Sequence, residues 1–164
     1  MPSRAPSHAQ QEEPVERLLA GAREMIATVP FCWVVTAAAD GAANARVVMA
    51  QPTRDGEDFW TRWFLTPRVG RKAAEIRRAG RVTLAYQHDS GNAYLALAGR
   101  AELIDDRAEV ESRCADRNLA ARLIAVRVTA DHLELHVRGV TAEPWGRGRT
   151  LLDRNPDGSW RLAA

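Results

Sequence analysis

The sequence predicts an α+β domain made mainly of antiparallel strands that close into a barrel, with a few flanking helices. Six or seven short segments have strand-like alternation of apolar and polar residues, and helical periodicity is confined to a few places. Asp-Gly pairs, which favour tight hairpin turns, occur at Asp40-Gly41, Asp55-Gly56 and Asp157-Gly158. Because no helix alternates regularly with the strands, a doubly wound parallel sheet is excluded.

Length and composition are those of a single globular domain. The chain has 164 residues, of which 46% are hydrophobic and 27% charged. We expect a disordered arm over residues 1–11 and one domain over residues 12–164. The longest uncharged run, residues 25–39, is shorter than the roughly 20 residues of a membrane span. The first residues of the sequence contain no apolar segment of the kind found in secretory signals, so we expect a cytoplasmic protein without a membrane partner.

The first half of the chain predicts two helices and three strands. Apolar residues at helical spacing begin after Glu12 and end before Pro30. Strands are expected over residues 31–38, 45–50 and 58–65, and the last of these is rich in aromatic residues that alternate between two faces. A second helix is expected to open after Thr66-Pro67 and to stop at Gly80.

The second half predicts further strands around one short helix. Strands are expected over residues 81–87 and 93–103, and Asp106 with Glu109 has the spacing of a helix N-cap and its partner. Residues 122–138 predict one long strand broken near Ala130-Asp131. The remaining residues alternate again as far as Leu162.

A cluster of cations opens the second predicted helix. Arg71 and Lys72 lie where the helix dipole is positive, so their placement is unfavourable unless an anion sits among them. Backbone N–H groups, Thr66, Arg71 and Lys72 could converge on a phosphate; the alternative is two solvated side chains. Arg46 lies in an otherwise apolar strand, where a guanidinium also needs an anion.

These motifs, in this order, resemble the pyridoxamine 5′-phosphate oxidase-like family of split-barrel flavoproteins. The resemblance rests on Arg46-Val47-Val48, on the aromatic strand ending at Thr66, and on Arg71-Lys72. It continues through residues 81–86 and 94–103. The tail is similar as well, in 143–146, Asp153-Arg154 and 160–162, so the resemblance covers residues 31–162 except for an uncertain alignment over 116–141.

The resemblance implies a homodimer that binds flavin mononucleotide (FMN) at its interface. Arg46, Arg71 and Lys72 would hold the phosphate, with Thr66 near the ribityl chain and the backbone of Val47 and Val48 at the flavin edge. The full set of implied cofactor-binding residues is Arg46, Val47, Val48, Gln51, Leu65, Thr66, Arg71, Lys72, Tyr94, Trp145 and Arg154. Trp145 and Arg154 would come from the second subunit. Gln51 replaces a lysine common in the family and would stabilise reduced flavin less.

The function implied is flavin-dependent oxidation or reduction of a small organic substrate, with no catalytic residue identified. Thr150 and Leu152 stand where the eponymous oxidase has an arginine and a histidine, which argues against a pyridoxal-type substrate. Two alternatives remain: a deazaflavin-dependent reductase, for which Arg54 or Arg62 would supply extra cations, and a non-enzymatic flavin-binding stress protein. A net charge of +2 with dispersed basic residues does not predict a nucleic-acid partner.

The histidines and cysteines suggest little additional chemistry. His132, Glu134 and His136 would share one face of a strand, with the histidines about 13 Å apart, too far for one metal ion. His88 and Asp89 form either an acid–base pair or a solvated turn. Cys32, between two aromatic residues, is expected to be a core thiol with a raised pKa.

Overall fold

The protein is an α+β split barrel with four helices and eight strands in the part of the chain that the structure describes. This structure is a computed structural model that describes residues 8–88, 93–137, 140–141 and 150–163, with only the backbone for residues 8–13. The elements in chain order are α1 (His8–Thr28), β1 (Phe31–Ala37), β2 (Ala43–Met49), β3 (Thr61–Pro67), α2 (Arg71–Ala79), β4 (Arg81–His88), β5 (Ala93–Ile104), α3 (Arg107–Arg113), α4 (Arg117–Ala120), β6 (Leu123–His136), β7 (Thr150–Arg154) and β8 (Trp160–Leu162).

All strand pairings are antiparallel, in the order β2-β1-β4-β5-β6-β7-β8, with β3 pairing with β6. Among the described residues, no strand pairing joins β2 to β3, and the one bridge on this side links Gln51, just after β2, to Trp63. The barrel is therefore split between β2 and β3. Helix α2, which follows β3 directly, lies at this opening.

The barrel interior is covered by α1. Its apolar stripe of Val15, Leu18, Leu19, Ala22, Met25 and Ile26 is buried, as the helical spacing predicts. The helix begins at His8, four residues before the predicted start, and residues 8–11 of the expected disordered arm form its first turn. Apart from Ala9 those residues are polar, so no apolar periodicity marked them. The rest of the arm, residues 1–7, lies outside the described residues.

A bulge bends the long strand β6 where the sequence predicted a break. The register with β5 shifts between Ala98 and Gly99, which leaves Asp131 without a cross-strand partner on β5. A Cβ atom at residue 99 would lie 2.1 Å from the Thr129 carbonyl oxygen, so only glycine fits there. The Asp131 carboxylate accepts two hydrogen bonds from Arg81, at 2.7 and 2.8 Å.

The connection from β5 to β6 forms a small second layer on the outside of β3 and β6. Asp106 caps α3 by accepting a hydrogen bond from the Ala108 N–H, which confirms the predicted N-cap. The short helix α4, capped by Asp116, was not predicted. Among the described residues, no helix is both long and apolar enough to cross a membrane.

A basic cavity at the start of α2

A cavity of about 270 Å³ lies where the barrel is split. Its lining comes from β2, from the end of β3 and from the first turn of α2, and consists of Arg46, Thr66, Pro67, Val69, Gly70, Arg71, Lys72 and Ala73. Four of the predicted site residues, Arg46, Thr66, Arg71 and Lys72, therefore share one cavity although 26 positions separate the first from the last (72 − 46).

The local sequence leaves the N-terminus of α2 open and positive. Gly70 occupies the N-cap position with φ of 148°, a conformation that favours glycine, and no side chain of the described residues caps the helix. The first turn, Arg71-Lys72-Ala73-Ala74, contains no acid. Because the helix dipole adds partial positive charge at this end, the cavity combines free N–H groups with cationic side chains.

Arg46 is held in place by a network of neutral and acidic side chains. Its Nη1 donates hydrogen bonds to Thr36 Oγ1 at 2.8 Å and to Glu75 Oε2 at 3.0 Å. Glu75 also accepts hydrogen bonds from Thr36 Oγ1 at 2.5 Å and Asn44 Nδ2 at 2.8 Å. The hydrogen bonds from Arg46 and Thr36 lower the pKa of Glu75 to about 2. Glu75 is therefore ionised and fully engaged as it anchors Arg46.

Two polar atoms of the cavity residues are buried without a partner. Arg46 Nη2 and Thr66 Oγ1 make no hydrogen bond to any described residue. Burying such groups is costly unless something pairs with them. Burial, together with repulsion from Arg46, lowers the pKa of Lys72. A bound phosphate dianion would accept hydrogen bonds from the unpartnered donors and would offset the repulsion between the cations. These residues therefore fit a phosphate group.

The edge of β2 continues from this cavity along the split. Val48 is buried, whereas Val47 is 52% exposed. Gln51 bonds through its backbone N–H to the Trp63 carbonyl at 2.7 Å and through its carbonyl to Arg62 Nη2 at 3.0 Å. Leu65 packs instead on the outer layer beside Trp63, so its side chain lies outside the cavity.

Two other predicted site residues lie elsewhere in the single chain. Tyr94, on β5, places its hydroxyl 3.4 Å from Glu134 Oε1, and its ring lies 6.2 Å from that of His136. Arg154, on β7, donates hydrogen bonds to Asp58 Oδ2 at 2.9 Å and to the Gly158 carbonyl at 3.2 Å. Trp145 lies outside the described residues. The basic cavity thus contains neither Tyr94 nor Arg154 from its own chain.

Sequence reasoning missed the residues that position Arg46. Glu75, Thr36 and Asn44 come from three elements, and 39 positions separate Thr36 from Glu75. One signal was present: Glu75 is the only acid of α2 and lies beside Ile76 on the helix face that turns out to be buried. A lone acid on an apolar helix face needs a partner, and Arg46 needs one too.

The remaining histidine and cysteine predictions concern residues away from the cavity. His132 Nδ1 lies 2.8 Å from Asp153 Oδ1, and His136 Nδ1 lies 2.9 Å from Thr141 Oγ1. Cys32 is 2% exposed, and burial raises its pKa to about 11, which confirms the core thiol. Asp89, the predicted partner of His88, lies outside the described residues.

The fold is an antiparallel split barrel, and a cationic cavity large enough for a phosphate group lies at its opening. The model of the family described as pyridoxamine 5′-phosphate oxidase like matches residues 19–118, which is more than half of the chain. This chain therefore belongs to the pyridoxamine 5′-phosphate oxidase-like family. No curated protein matches it.

Solved structures share the fold at low sequence identity. One is a protein from Clostridium acetobutylicum related to general stress protein 26, with 21% identity and a TM-score of 0.64 over 75% of this chain and 90% of that one. Another is a pyridoxamine 5′-phosphate oxidase-related, FMN-binding protein from Nostoc punctiforme, with 13% identity and a TM-score of 0.60 over 99% and 98% of the chains.

Proposed function

We propose that this chain binds FMN through the basic cavity and acts, as a homodimer, in flavin-dependent oxidation or reduction of a small organic substrate. The observation that carries the proposal is the cavity itself, which is lined by three cationic side chains at an uncapped helix N-terminus. Two of its buried polar atoms, Arg46 Nη2 and Thr66 Oγ1, have no partner among the described residues. The FMN-binding description of the Nostoc punctiforme protein, which has the same fold, supports this choice of ligand.

Each residue of the cavity has a distinct task in this proposal. Arg71 and Lys72 supply charge at the helix end, and Arg46 directs its unpaired Nη2 at the phosphate while Glu75 fixes its Nη1. Thr66 donates its hydroxyl. FMN, when bound, supplies the redox chemistry, and the protein contributes binding, orientation and shielding from water.

The edge of β2 is suited to the flavin ring system. Among the described residues, β2 pairs along its length only with β1, and on its other side the single bridge to β3 is made by Gln51, just after the strand. Because successive residues of a strand direct their N–H and C=O groups to opposite edges, one of Val47 and Val48 presents its backbone groups on that open edge, where they can hydrogen-bond to a planar heterocycle. Gln51, anchored on both sides through its backbone, lies at the end of this edge and offers a neutral amide.

The homodimer is supported by an apolar surface beside this edge. Phe31, Trp33, Val47 and Met49 are each about half exposed, from 48% to 56%, and form two cross-strand pairs, Phe31 with Met49 and Trp33 with Val47. Four large apolar side chains on adjacent strands are unusual on a monomer surface. A second copy of this chain is the proposed partner. In that dimer, Trp145 and Arg154 of the second copy, together with Tyr94, would complete the flavin site.

Two nearby arginines already make hydrogen bonds within the protein, which favours FMN over a deazaflavin with a longer acidic tail. Arg62 is 4% exposed and donates to Thr53 Oγ1 at 2.5 Å and to the Gln51 carbonyl. Arg54 donates to the Ser112 carbonyl at 2.7 Å and pairs with Glu109 at 3.5 Å. Neither arginine lines the basic cavity, so neither is placed to bind an additional anionic tail there.

A non-enzymatic flavin-binding protein is the second candidate, and one observation favours it. Leu152 stands where the eponymous oxidase has a substrate-binding histidine, and here it is fully buried in the barrel core. That position therefore offers no proton-transferring group. Oxidation of a vitamin B6 phosphate is accordingly the least favoured reaction.

Two measurements test the proposal in sequence. The purified protein is titrated with FMN and followed by flavin absorbance and fluorescence, and saturable binding is expected. The loaded protein is then supplied with reduced nicotinamide, or with a B6 vitamer and oxygen. Turnover identifies an oxidoreductase, and binding without turnover identifies the second candidate. Absence of FMN binding contradicts both.

A further inference from the structure

The chain contains a single lysine, Lys72, and the structure places it in the basic cavity. The other two cations there, Arg46 and Arg71, are guanidinium groups, which remain protonated in proteins. An amine can lose its proton and then attack a carbonyl carbon to form an imine. Lys72 is therefore the one side chain of this sequence that can form an imine with an aldehyde.

The surroundings of Lys72 favour the neutral amine that such an attack requires. Its Nζ lies 5.9 Å from the centroid of the Phe64 ring, which is 1% exposed. Two arginines and no acid share the cavity with it. Burial, together with repulsion from Arg46, lowers the pKa of Lys72, so a larger fraction of the amine is neutral than in an exposed lysine. Lysines beside apolar groups and other cations are reactive nucleophiles for the same reason.

Groups that can hold a phosphate lie beside this amine. Thr66 is 1% exposed, and its Oγ1 and the Nη2 of Arg46 are buried without a partner among the described residues. Arg71 and the uncapped N-terminus of α2, a helix of nine residues, supply further donors. These groups can hold a phosphate while Lys72 reacts. A ligand held in this way keeps its remaining atoms close to the amine, which raises their local concentration.

We propose that Lys72 is a modification site for small phosphorylated aldehydes. The proposal rests on the recognition of phosphate that the proposed function assigns to the basic cavity, and it adds a competitor of FMN there. The neutral Lys72 amine attacks the aldehyde carbon, and the resulting carbinolamine loses water to form an imine. The carbonyl oxygen leaves with two amine hydrogens, so the step needs no oxidant or reductant. The volume of about 270 Å³ suits a phosphate attached to only a few carbon atoms.

Reductive trapping of the full chain with glyceraldehyde 3-phosphate tests the proposal. Cyanoborohydride reduces each imine to a stable secondary amine, and peptide mapping by mass spectrometry compares labelling of Lys72 with that of the chain's α-amino group. Glyceraldehyde, which lacks the phosphate, is the comparison reagent. We expect the ratio of Lys72 to α-amino labelling to be at least roughly tenfold higher with the phosphorylated aldehyde, and excess inorganic phosphate to abolish the difference. Equal ratios for the two aldehydes overturn the proposal.

A variant with its matched control tests how the phosphate is held. Arg71→Ala removes a phosphate donor from the cavity but retains the Lys72 amine, and we expect it to lower the preference for the phosphorylated aldehyde roughly fivefold. Arg77→Ala changes an arginine of the same helix that does not line the cavity, and it should keep the preference of the parent. Because both arginines are exposed, neither change should unfold the protein. An equal preference in the two variants contradicts the proposal.

FMN titration of the same preparation distinguishes failure of this proposal from failure of the proposed function. FMN binding without selective labelling of Lys72 overturns the modification site alone. Selective labelling without FMN binding supports the modification site and contradicts FMN as the ligand, and the absence of both overturns both proposals. Where both occur, saturating FMN should reduce Lys72 labelling to the level seen with glyceraldehyde, and undiminished labelling would contradict a shared cavity.

Discussion

Two arginine-containing regions of this barrel differ in whether their positive charges are paired with acids. On the outer layer, Arg113 has a side chain that is 2% exposed, pairs with Glu57 and with Glu109 at 2.5 Å, and stacks 3.8 Å from the Trp63 ring. At the basic cavity, Arg46 shares Glu75 with two neutral side chains and leaves Nη2 unpaired. Arg71 and Lys72 stand nearby with no acid lining that cavity.

The contrast separates a structural cation from a ligand-binding one. Around Arg113 each charge has its counter-charge, so the cluster ties α3 to the segment before β3 and requires nothing further. Around the start of α2 the positive charges exceed the available acids. Burial, together with repulsion from Arg46, accordingly lowers the pKa of Lys72. Composition alone does not distinguish these regions, because both are rich in arginine. They are distinguished by whether each cation has an acidic partner.

The largest expected effect is on phosphate recognition. Replacing Arg71 and Lys72 together with alanine removes two charge-assisted contacts, and FMN affinity should fall by roughly a thousandfold. Riboflavin, which lacks the phosphate, should bind the variant and the parent equally. Flavin fluorescence titration measures both. Arg77→Ala with Arg78→Ala, in the last turn of the same helix, is the matched control, and an equal loss there would contradict the assignment.

Removing the structural cation should produce the converse result. Arg113→Met removes the buried guanidinium from Glu57 and Glu109 and leaves Glu109 only its longer pair with Arg54, at 3.5 Å. We expect a loss of about 2–3 kcal/mol in the free energy of unfolding. FMN affinity at a temperature where the variant is folded should not change. Urea unfolding and FMN titration of one sample check both points. Weakened FMN binding in a folded Arg113→Met protein would erase the distinction between the regions.

An intermediate effect is expected at Glu75. Glu75→Gln keeps the shape of the side chain but removes the charge that fixes Arg46 Nη1, so FMN affinity should fall roughly tenfold. Riboflavin affinity serves again as the internal reference. Were the affinity for FMN to rise because the cavity becomes more positive, the positioning role of Glu75 would be wrong.

Acid should weaken the folded state through the same residue. The pKa of Glu75 is lowered to about 2 by Arg46 and Thr36, so its contribution is complete above the ordinary carboxyl pKa of about 4.3. That contribution is lost as pH falls from there toward 2. Unfolding free energies between pH 5 and 2.5 should decline more steeply in the parent than in Glu75→Gln. Parallel curves would show that the network adds no charge-dependent stability.

The smallest effect is a loss of FMN affinity in alkali. Burial and Arg46 lower the pKa of Lys72, so this lysine loses its proton at a lower pH than an exposed lysine does. Binding should weaken as pH rises through that value, because only the ammonium form attracts phosphate. Lys72→Arg should flatten the profile, since guanidinium stays protonated. The same alkaline decline in Lys72→Arg would assign the effect to another group.

Much of this fold could be predicted because its signals are local. Turn residues at Asp40-Gly41 and Asp157-Gly158, the apolar stripe of α1 and the cap at Asp106 each act within a few positions along the chain. Four of the eight residues that line the basic cavity were likewise predicted, Thr66, Arg71 and Lys72 from a conflict between cations and a helix dipole and Arg46 from a guanidinium in an apolar strand. The strand count fell one or two short, because β8 has only three residues.

What could not be predicted depends on contacts between distant segments. Glu75 anchors Arg46 across 29 positions, and an acid in a short helix resembles any solvent-exposed one until the helix is docked. The cavity of about 930 Å³ lined by α1, β7 and β8 likewise forms only when the C-terminal hairpin meets α1. Trp145 and Arg154 remain predictions, because their proposed role requires a second subunit, and Tyr94 remains one because it lies outside the basic cavity of its own chain.

The central claim is that the basic cavity recognises a phosphate group. The most direct measurement compares the dissociation constants of FMN and riboflavin for the unmodified protein under identical conditions. The account predicts that FMN binds at least roughly a hundredfold more tightly, because only FMN pairs with Arg46, Thr66, Arg71 and Lys72. Equal affinities for the two flavins, or no binding of either, would contradict it.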